Sequence, residues 1–268
     1  FFLDQESLKK FPDKFNIELP KMKVYNQGDS ARCWICSGLN FIGENVAKNL
    51  NVSPEKLTLS INYISFLDKL EKSNTLYEII LSKKKWNIKK EIEEGYIKKG
   101  LYEGCYFDYF VHLIDKYGFV PEKIMPETFD SQNSYTYVDL YGEKIKKDMC
   151  KLIALKRKKT SMSQLERIKE QMLQENYEFL SKCLGEVPLR FDYKYQTLEK
   201  EEKILENITP LEFKTKFLSM NLHNYIGVAN LRMYNKNYNK LYRKKYAKNV
   251  YEQNEVTFLN LPIEKLKE

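Results

Sequence analysis

The stretch NQGDSARCWICSG, Asn26 to Gly38, constrains this chain more than any other. Short and polar residues lead up to Cys33-Trp34, and an apolar pattern follows at once. Trp34, Ile35, Leu39 and Ile42 recur at helical spacing on roughly one face, which predicts a helix starting near Cys33 with Asp29 or Ser30 as its cap. A thiol at such a start faces unpaired backbone N–H groups and the positive end of the helix dipole, and both favour the thiolate. Gln27, folded back towards that sulfur, is a neutral amide able to donate a hydrogen bond where an acyl oxygen becomes negative, with the Cys33 N–H as a second donor. Spacing alone leaves two readings standing: a nucleophile with its oxyanion partner, or a buried structural cysteine.

A chain of 268 residues can bury a large core, and with 31% charged residues and no apolar run of membrane-spanning length it reads as soluble. The opening FFLDQESLKKF carries Asp4 and has no charged leader before it, so no signal peptide is read there. Five cysteines, Cys33, Cys36, Cys105, Cys150 and Cys183, form an odd and scattered set, which suits a reducing compartment better than a disulfide framework. Cys33 and Cys36 make one C-x-x-C; with no second pair and with His112 and His223 far away, zinc is disfavoured, and a redox motif lacks its βαβ context. The net charge of +8 includes basic tracts at Lys83–Lys85, Lys156–Lys159 and Arg243–Lys245, interleaved with acidic residues and accompanied by no nucleic-acid recognition motif.

The rest reads as mostly helical with a few strands. Ser53-Pro54-Glu55 is a helix start signal, and Leu59 to Leu81 has a long helical pattern with a break expected near Ser73-Asn74. Lys98 to Asp108 reads as a loop, with Asp108 capping a helix that Gly118 closes. Ser163-Gln-Leu-Glu166 has capping-box spacing and opens a helix towards Gly185; LRFDYKYQTL and NYIGVANL are strand candidates, and Thr209-Pro210-Leu-Glu212 starts a short helix.

Gln27 followed by Cys33-Trp34 resembles the nucleophile segment of papain-like cysteine peptidases, and NQGDSARCWICSGLN is closest to their bleomycin hydrolase and aminopeptidase C branch. LSINYISFLDKLEK, DYFVHLIDKYGFVPEKIMPETF, ITPLEF, YNKLYRKKYAKNV and LNLPIEKLKE resemble further segments of that branch in order, so the likeness runs along nearly the whole chain. The resemblance implies an α+β, papain-like fold: a mostly helical nucleophile-bearing half, with the β-rich half largely missing. Within it, 1–43 is the nucleophile segment, 44–219 a helical insertion with the substrate loop, and 220–268 the start of the C-terminal half. It implies a cytoplasmic cysteine aminopeptidase without a cofactor, acting on peptides and assembled as a homohexameric ring. Basic surfaces that bind nucleic acid weakly are compatible with it; membrane association is not implied. By carry-over Cys33 is the nucleophile and Gln27 the oxyanion donor. Trp34 packs beside the nucleophile, and Gly104 and Cys105 occupy the paired-glycine positions that meet the substrate backbone.

This sequence departs from the branch at three positions. Ala31 stands for a glycine, which would be strained in a left-handed backbone; Cys36 replaces an aromatic; and Cys105 in place of the second glycine is expected to narrow the pocket. The base is the larger departure. The branch takes its His and its Asn-Ser-Trp from a C-terminal portion with no counterpart here. His112 reads as a helix-face residue and His223, with Asn230 seven residues on, as a loop residue. Three readings follow: a fragment, one half of a split enzyme, or a non-catalytic scaffold for assembly or nucleic-acid contact. An apolar cleft wall is expected to lie exposed.

Overall fold

In the computed structural model, residues 4, 6, 9–10, 15–82, 101–232, 236–244 and 247–267 are described. The basic tract at Lys83–Lys85, the first three residues of the expected loop (98–100), and Lys245 lie outside them. Helix α1 (Cys33–Leu50) buries the predicted face, Trp34, Ile35, Leu39 and Ile42, and continues it through Val46, Ala47 and Leu50. Its N-cap is Arg32, with no side-chain cap bond, rather than Asp29 or Ser30. The helix ends where Asn51 turns left-handed at φ 58°.

Ser53-Pro54-Glu55 opens only a single 3₁₀ turn, Pro54–Lys56. The helix begins at Ile61, and α2 (Ile61–Ser82) runs through Ser73-Asn74 without a break. It is the axis of the fold, packed against α1, α3 (Phe107–Tyr117), α5 (Tyr135–Arg157) and α6 (Met162–Leu184). Being wrapped on every side, it is buried around its whole circumference, including Asp68, Lys69, Glu71 and Lys72. Each of these charges therefore needs a partner.

Helix α3 starts after Tyr106; Asp108 lies inside its first turn and accepts the Thr257 N–H at 3.1 Å instead of capping. Gly118 closes α3 at φ 72° as expected, in a place where a β-carbon would sit 2.1 Å from the Pro210 carbonyl oxygen. Short α4 (Phe129–Gln132) carries a Thr128–Ser131 capping box. α5 begins after Ser134, whose side chain makes no cap bond to the helix. Lys156, in one of the basic tracts, donates to the terminal carbonyls of α2 at Ile80 (2.8 Å) and Leu81 (2.5 Å). The cap of α6 is Ser161, whose hydroxyl accepts the Gln164 N–H, two residues before the expected Ser163. Where these two helices meet α2, the core is continuous with that around α1 and α3.

Strands β1 (Phe191–Gln196) and β2 (Glu202–Ile208) form an antiparallel hairpin. Its Phe191 and Tyr193 pack on Phe213 of α7 (Pro210–Phe217), the helix started by the Thr209–Glu212 capping box. A second sheet has the order β3-β5-β4. β3 (Gly227–Ala229) runs parallel to β5 (Thr257–Asn260), and β4 (Lys240–Arg243) runs antiparallel to it; α8 (Ile263–Lys267) follows. The NYIGVANL candidate contributes just three strand residues.

The outer face of α1 stays open: Cys33, Ser37, Asn40 and Phe41 are exposed. Phe41 meets Phe107 and Tyr225 edge-on at 5.5 and 4.8 Å; Tyr225 remains about half exposed, as do Ile226 and Val228, which follow it in the chain. An exposed apolar wall is therefore present on the nucleophile side of α1. Among the described residues, no helix is long and apolar enough to cross a membrane.

Candidate functional site

The loop before α1 is pinned on both sides. Gly28 adopts φ +63°, and a β-carbon there would come 2.4 Å from the Gln132 carbonyl oxygen, so glycine is required. Asp29 forms an isolated parallel bridge with Asn133: its N–H donates to Gln132 O at 2.7 Å, and its carbonyl accepts the Ser134 N–H at 3.0 Å. Arg32 is wholly buried and clamps the other side. Its guanidinium makes a two-pronged pair with Glu127 (2.8 and 3.2 Å) and donates to the Gln27 carbonyl (3.0 Å) and the Ser30 hydroxyl (2.9 Å). A planar fork is suited to that geometry where a point charge is not. Ser30 in turn donates to the Gln27 carbonyl at 2.6 Å, so the Gln27 backbone is held by two donors. The Gln27 side chain is half-buried, and no donor among the described residues reaches its Oε1.

Cys33 is the first residue of α1 and is exposed. The alternative of a sealed structural cysteine is thereby removed. Trp34 is buried beneath it and donates its indole N–H to the Glu103 carbonyl at 2.9 Å, which fastens the 101–106 segment to the helix start. Gly104 and Cys105 follow Glu103 directly in that segment. A β-carbon on Gly104 would come 3.3 Å from the ring of exposed Tyr102, a contact that ring can relieve by moving. The Cys105 sulfur accepts from Lys72 Nζ at 2.9 Å, so the side chain turns in towards α2. Burial pushes its thiol up to about 12, although Lys72 pulls the other way.

Glu103 unites these parts. Its carboxylate accepts from Lys69 (2.9 Å), from the Ala31 N–H (3.0 Å) and from the Ser134 hydroxyl (2.7 Å). Burial by itself would raise its pKa, but Lys69 and these hydrogen bonds outweigh it and hold the group down at about 2. Lys69 is raised from its ordinary value: its own burial lowers it, and Tyr137, Glu103 and Asp68 more than offset this. Ala31 is not among the residues of positive φ, so the alanine carries no left-handed strain.

Neither histidine reaches the thiol. His112 is a buried residue of α3 whose Nδ1 lies 3.2 Å from Asn249 Oδ1, and burial lowers its pKa. Asn249 also donates to Asp68 (3.2 Å) and to the Tyr109 carbonyl (3.1 Å). His223 is exposed, with Nε2 2.7 Å from Asp115 Oδ2, and Asn230 donates to the Leu261 carbonyl at 2.7 Å. Sequence reasoning missed Arg32, Lys69, Lys72, Glu103 and Glu127. The one available signal was charge inside helix α2 at positions its apolar pattern marks for burial, which requires partners elsewhere in the chain.

An exposed thiol on the tip of a helix buried on its opposite face, with a pinned glutamine loop before it and a tryptophan-anchored segment beside it, defines a papain-like peptidase fold of the α+β class. The chain belongs to the Peptidase C1-like family, which it matches over residues 2–268, in the bleomycin hydrolase and aminopeptidase C branch. It is 32% identical over 253 residues to aminopeptidase C of Listeria monocytogenes, covering 94% of this chain and 56% of that protein. Aminopeptidase G of Lactobacillus delbrueckii subsp. lactis is 31% identical over 261 residues, covering 95% and 57%. The crystal structure of PepW from Lactobacillus rhamnosis HN001 superposes with a TM-score of 0.90 at 33% identity, covering 98% of this chain and 59% of that one. The chain thus spans somewhat over half the length of these relatives.

Proposed function

We infer that this chain carries the nucleophile and oxyanion side of a cysteine-type aminopeptidase. The observation that carries the reading is the exposure of Cys33 as the first residue of a helix that buries its opposite face, behind a loop held by Arg32 and Glu103. In this reading the Cys33 sulfur attacks the carbonyl carbon of a peptide's first residue. The Cys33 N–H and the Gln27 carboxamide stabilise the resulting oxyanion, collapse expels the shortened peptide, and water releases the acyl group. Gly104 lies along the substrate backbone, and Trp34 keeps that segment against the nucleophile. The imidazole that accepts the thiol proton, and the amide that orients it, come from outside residues 1–268, since His112 and His223 are engaged with Asn249 and Asp115. The exposed wall beside Phe41 is where such a contribution would pack. Cytoplasmic residence and ring assembly as a homohexamer belong to the same reading.

The test is covalent labelling with a peptidyl epoxide. Cys33 is expected to react at least tenfold faster than Cys150, an exposed cysteine elsewhere in the chain. Equal rates at the two cysteines would favour a scaffold without catalysis.

A further inference from the structure

Cys36 plays no part in the peptidase reading, yet with Cys33 it forms a C-x-x-C that the fold places where dithiol chemistry is natural. Cys33 is the first and Cys36 the fourth residue of α1, one turn apart. The turn between them is tight: the Arg32 carbonyl accepts both the Ile35 N–H (2.9 Å) and the Cys36 N–H (3.2 Å). Both thiols are free; Cys33 is exposed and Cys36 half-buried beneath it, packed on the core and near enough to Cys33 to feel its charge. Residues three apart on a helix have β-carbons about 5–6 Å apart, and a disulfide needs about 3.5–4.5 Å. The gap lies at the helix start, where the Cys33 N–H has no intrahelical partner and the Arg32 carbonyl already takes a 3₁₀-type bond from Ile35, so a local tightening of this first turn closes it.

We propose that Cys33 and Cys36 form a reversible disulfide that protects and switches off the thiol at the tip of α1. A hydroperoxide is the oxidant. The Cys33 sulfur attacks one peroxide oxygen, the O–O bond breaks, and Cys33 becomes a sulfenic acid with release of one water. The Cys36 sulfur then attacks the Cys33 sulfur, the S–O bond breaks, and the departing hydroxyl leaves as a second water with the Cys36 proton. Two thiols and one hydrogen peroxide give one disulfide and two waters. A small dithiol reverses it by exchange. The arrangement of one exposed and one sheltered sulfur assigns the order: the exposed one meets the oxidant and the sheltered one resolves it. Burial pushes the Cys36 thiol up to about 11; Arg32 pulls it down while Glu127 and Cys33 add to the rise, so closure accelerates with pH. The consequence for activity rests on the proposed role of Cys33; the disulfide itself does not.

The experiment uses the purified, reduced chain treated with equimolar hydrogen peroxide, followed by peptide mapping with differential alkylation. The wild type is expected to lose two hydrogens, to show a Cys33–Cys36 link, and to regain both thiols with dithiothreitol. The closure rate should rise between about pH 7 and 9. Cys36→Ser is expected to show no link, to leave a sulfenic acid at Cys33 that dimedone traps, and to over-oxidise beyond rescue by dithiothreitol. A wild type that over-oxidises as fast as Cys36→Ser, or that links Cys33 to Cys105 instead, overturns the proposal. Epoxide labelling of the reduced chain separates the two readings. Fast labelling without a link sinks the switch alone, whereas a link without fast labelling keeps the switch and sinks the peptidase.

Discussion

Replacing Glu103 by Gln tests the physical basis of the site most directly. The side chain keeps its shape, but its charge goes and one acceptor oxygen becomes a donor facing Lys69, the Ala31 N–H or the Ser134 hydroxyl. Lys69, 1% exposed, is then left without its principal carboxylate in the interior. Two routes give the size of the loss. Removing one partner of a buried pair costs about 3–5 kcal/mol. Holding a carboxyl at about 2 instead of 4.5 corresponds to roughly 3 kcal/mol, at about 1.4 kcal/mol per tenfold change in acidity. The sign follows from the depressed value. The contribution is complete above the unfolded-state value of 4.5 and is lost as pH falls towards about 2, because the unfolded chain takes up the proton first. Urea denaturation of both proteins at several pH values is the assay. The variant is expected to be less stable by about 3 kcal/mol at pH 7, with the difference falling by roughly half at pH 3. A difference below about 0.5 kcal/mol, or one that does not change with pH, would refute the view that this carboxylate is ionised and pairs with Lys69 in the folded state.

Three further outcomes follow from the same contacts. Arg32→Lys keeps a positive charge but cannot reproduce the fork on Glu127, and is expected to cost about 2–4 kcal/mol in thermal or urea unfolding, where a mere surface cation would cost almost nothing. Gly38→Ala adds a β-carbon 2.6 Å from the Phe110 ring at the crossing of α1 and α3. The usual gain of about 1 kcal/mol for alanine in a helix should be outweighed by overpacking of about 1–3 kcal/mol, read as a lowered unfolding midpoint. His112 has a pKa below its ordinary 6.5 through burial, so it binds its proton more readily in the unfolded chain. Stability should decline as pH falls from about 7 to about 5, and His112→Gln should flatten that slope in the same denaturation series.

Parts of the site were legible because they depend on neighbours in the chain. Helix α1, its buried face and the position of Cys33 at its start follow from 3.6-residue periodicity, and the α7 capping box from residues three apart. Where two signals competed, local reading slipped. Ser163 has the better box pattern, yet Ser161 caps α6; Asp29 has a suitable side chain, yet its backbone is taken up in the bridge to Asn133. The break expected at Ser73-Asn74 is absent because α2 is enclosed by four helices, and packing overrides the weak propensity of those two residues.

What the sequence determined by itself was the location of the thiol, the glutamine and the tryptophan, since each is set by distances of a few residues and a helix's geometry. Only the tertiary structure decided what holds them. Arg32 finds Glu127 across 95 residues, Ala31 finds Glu103 across 72, and Lys69 finds Glu103 across 34. A charge forced inside by the packing of α2 must take whichever partner the fold delivers, and no periodicity along the chain specifies that partner.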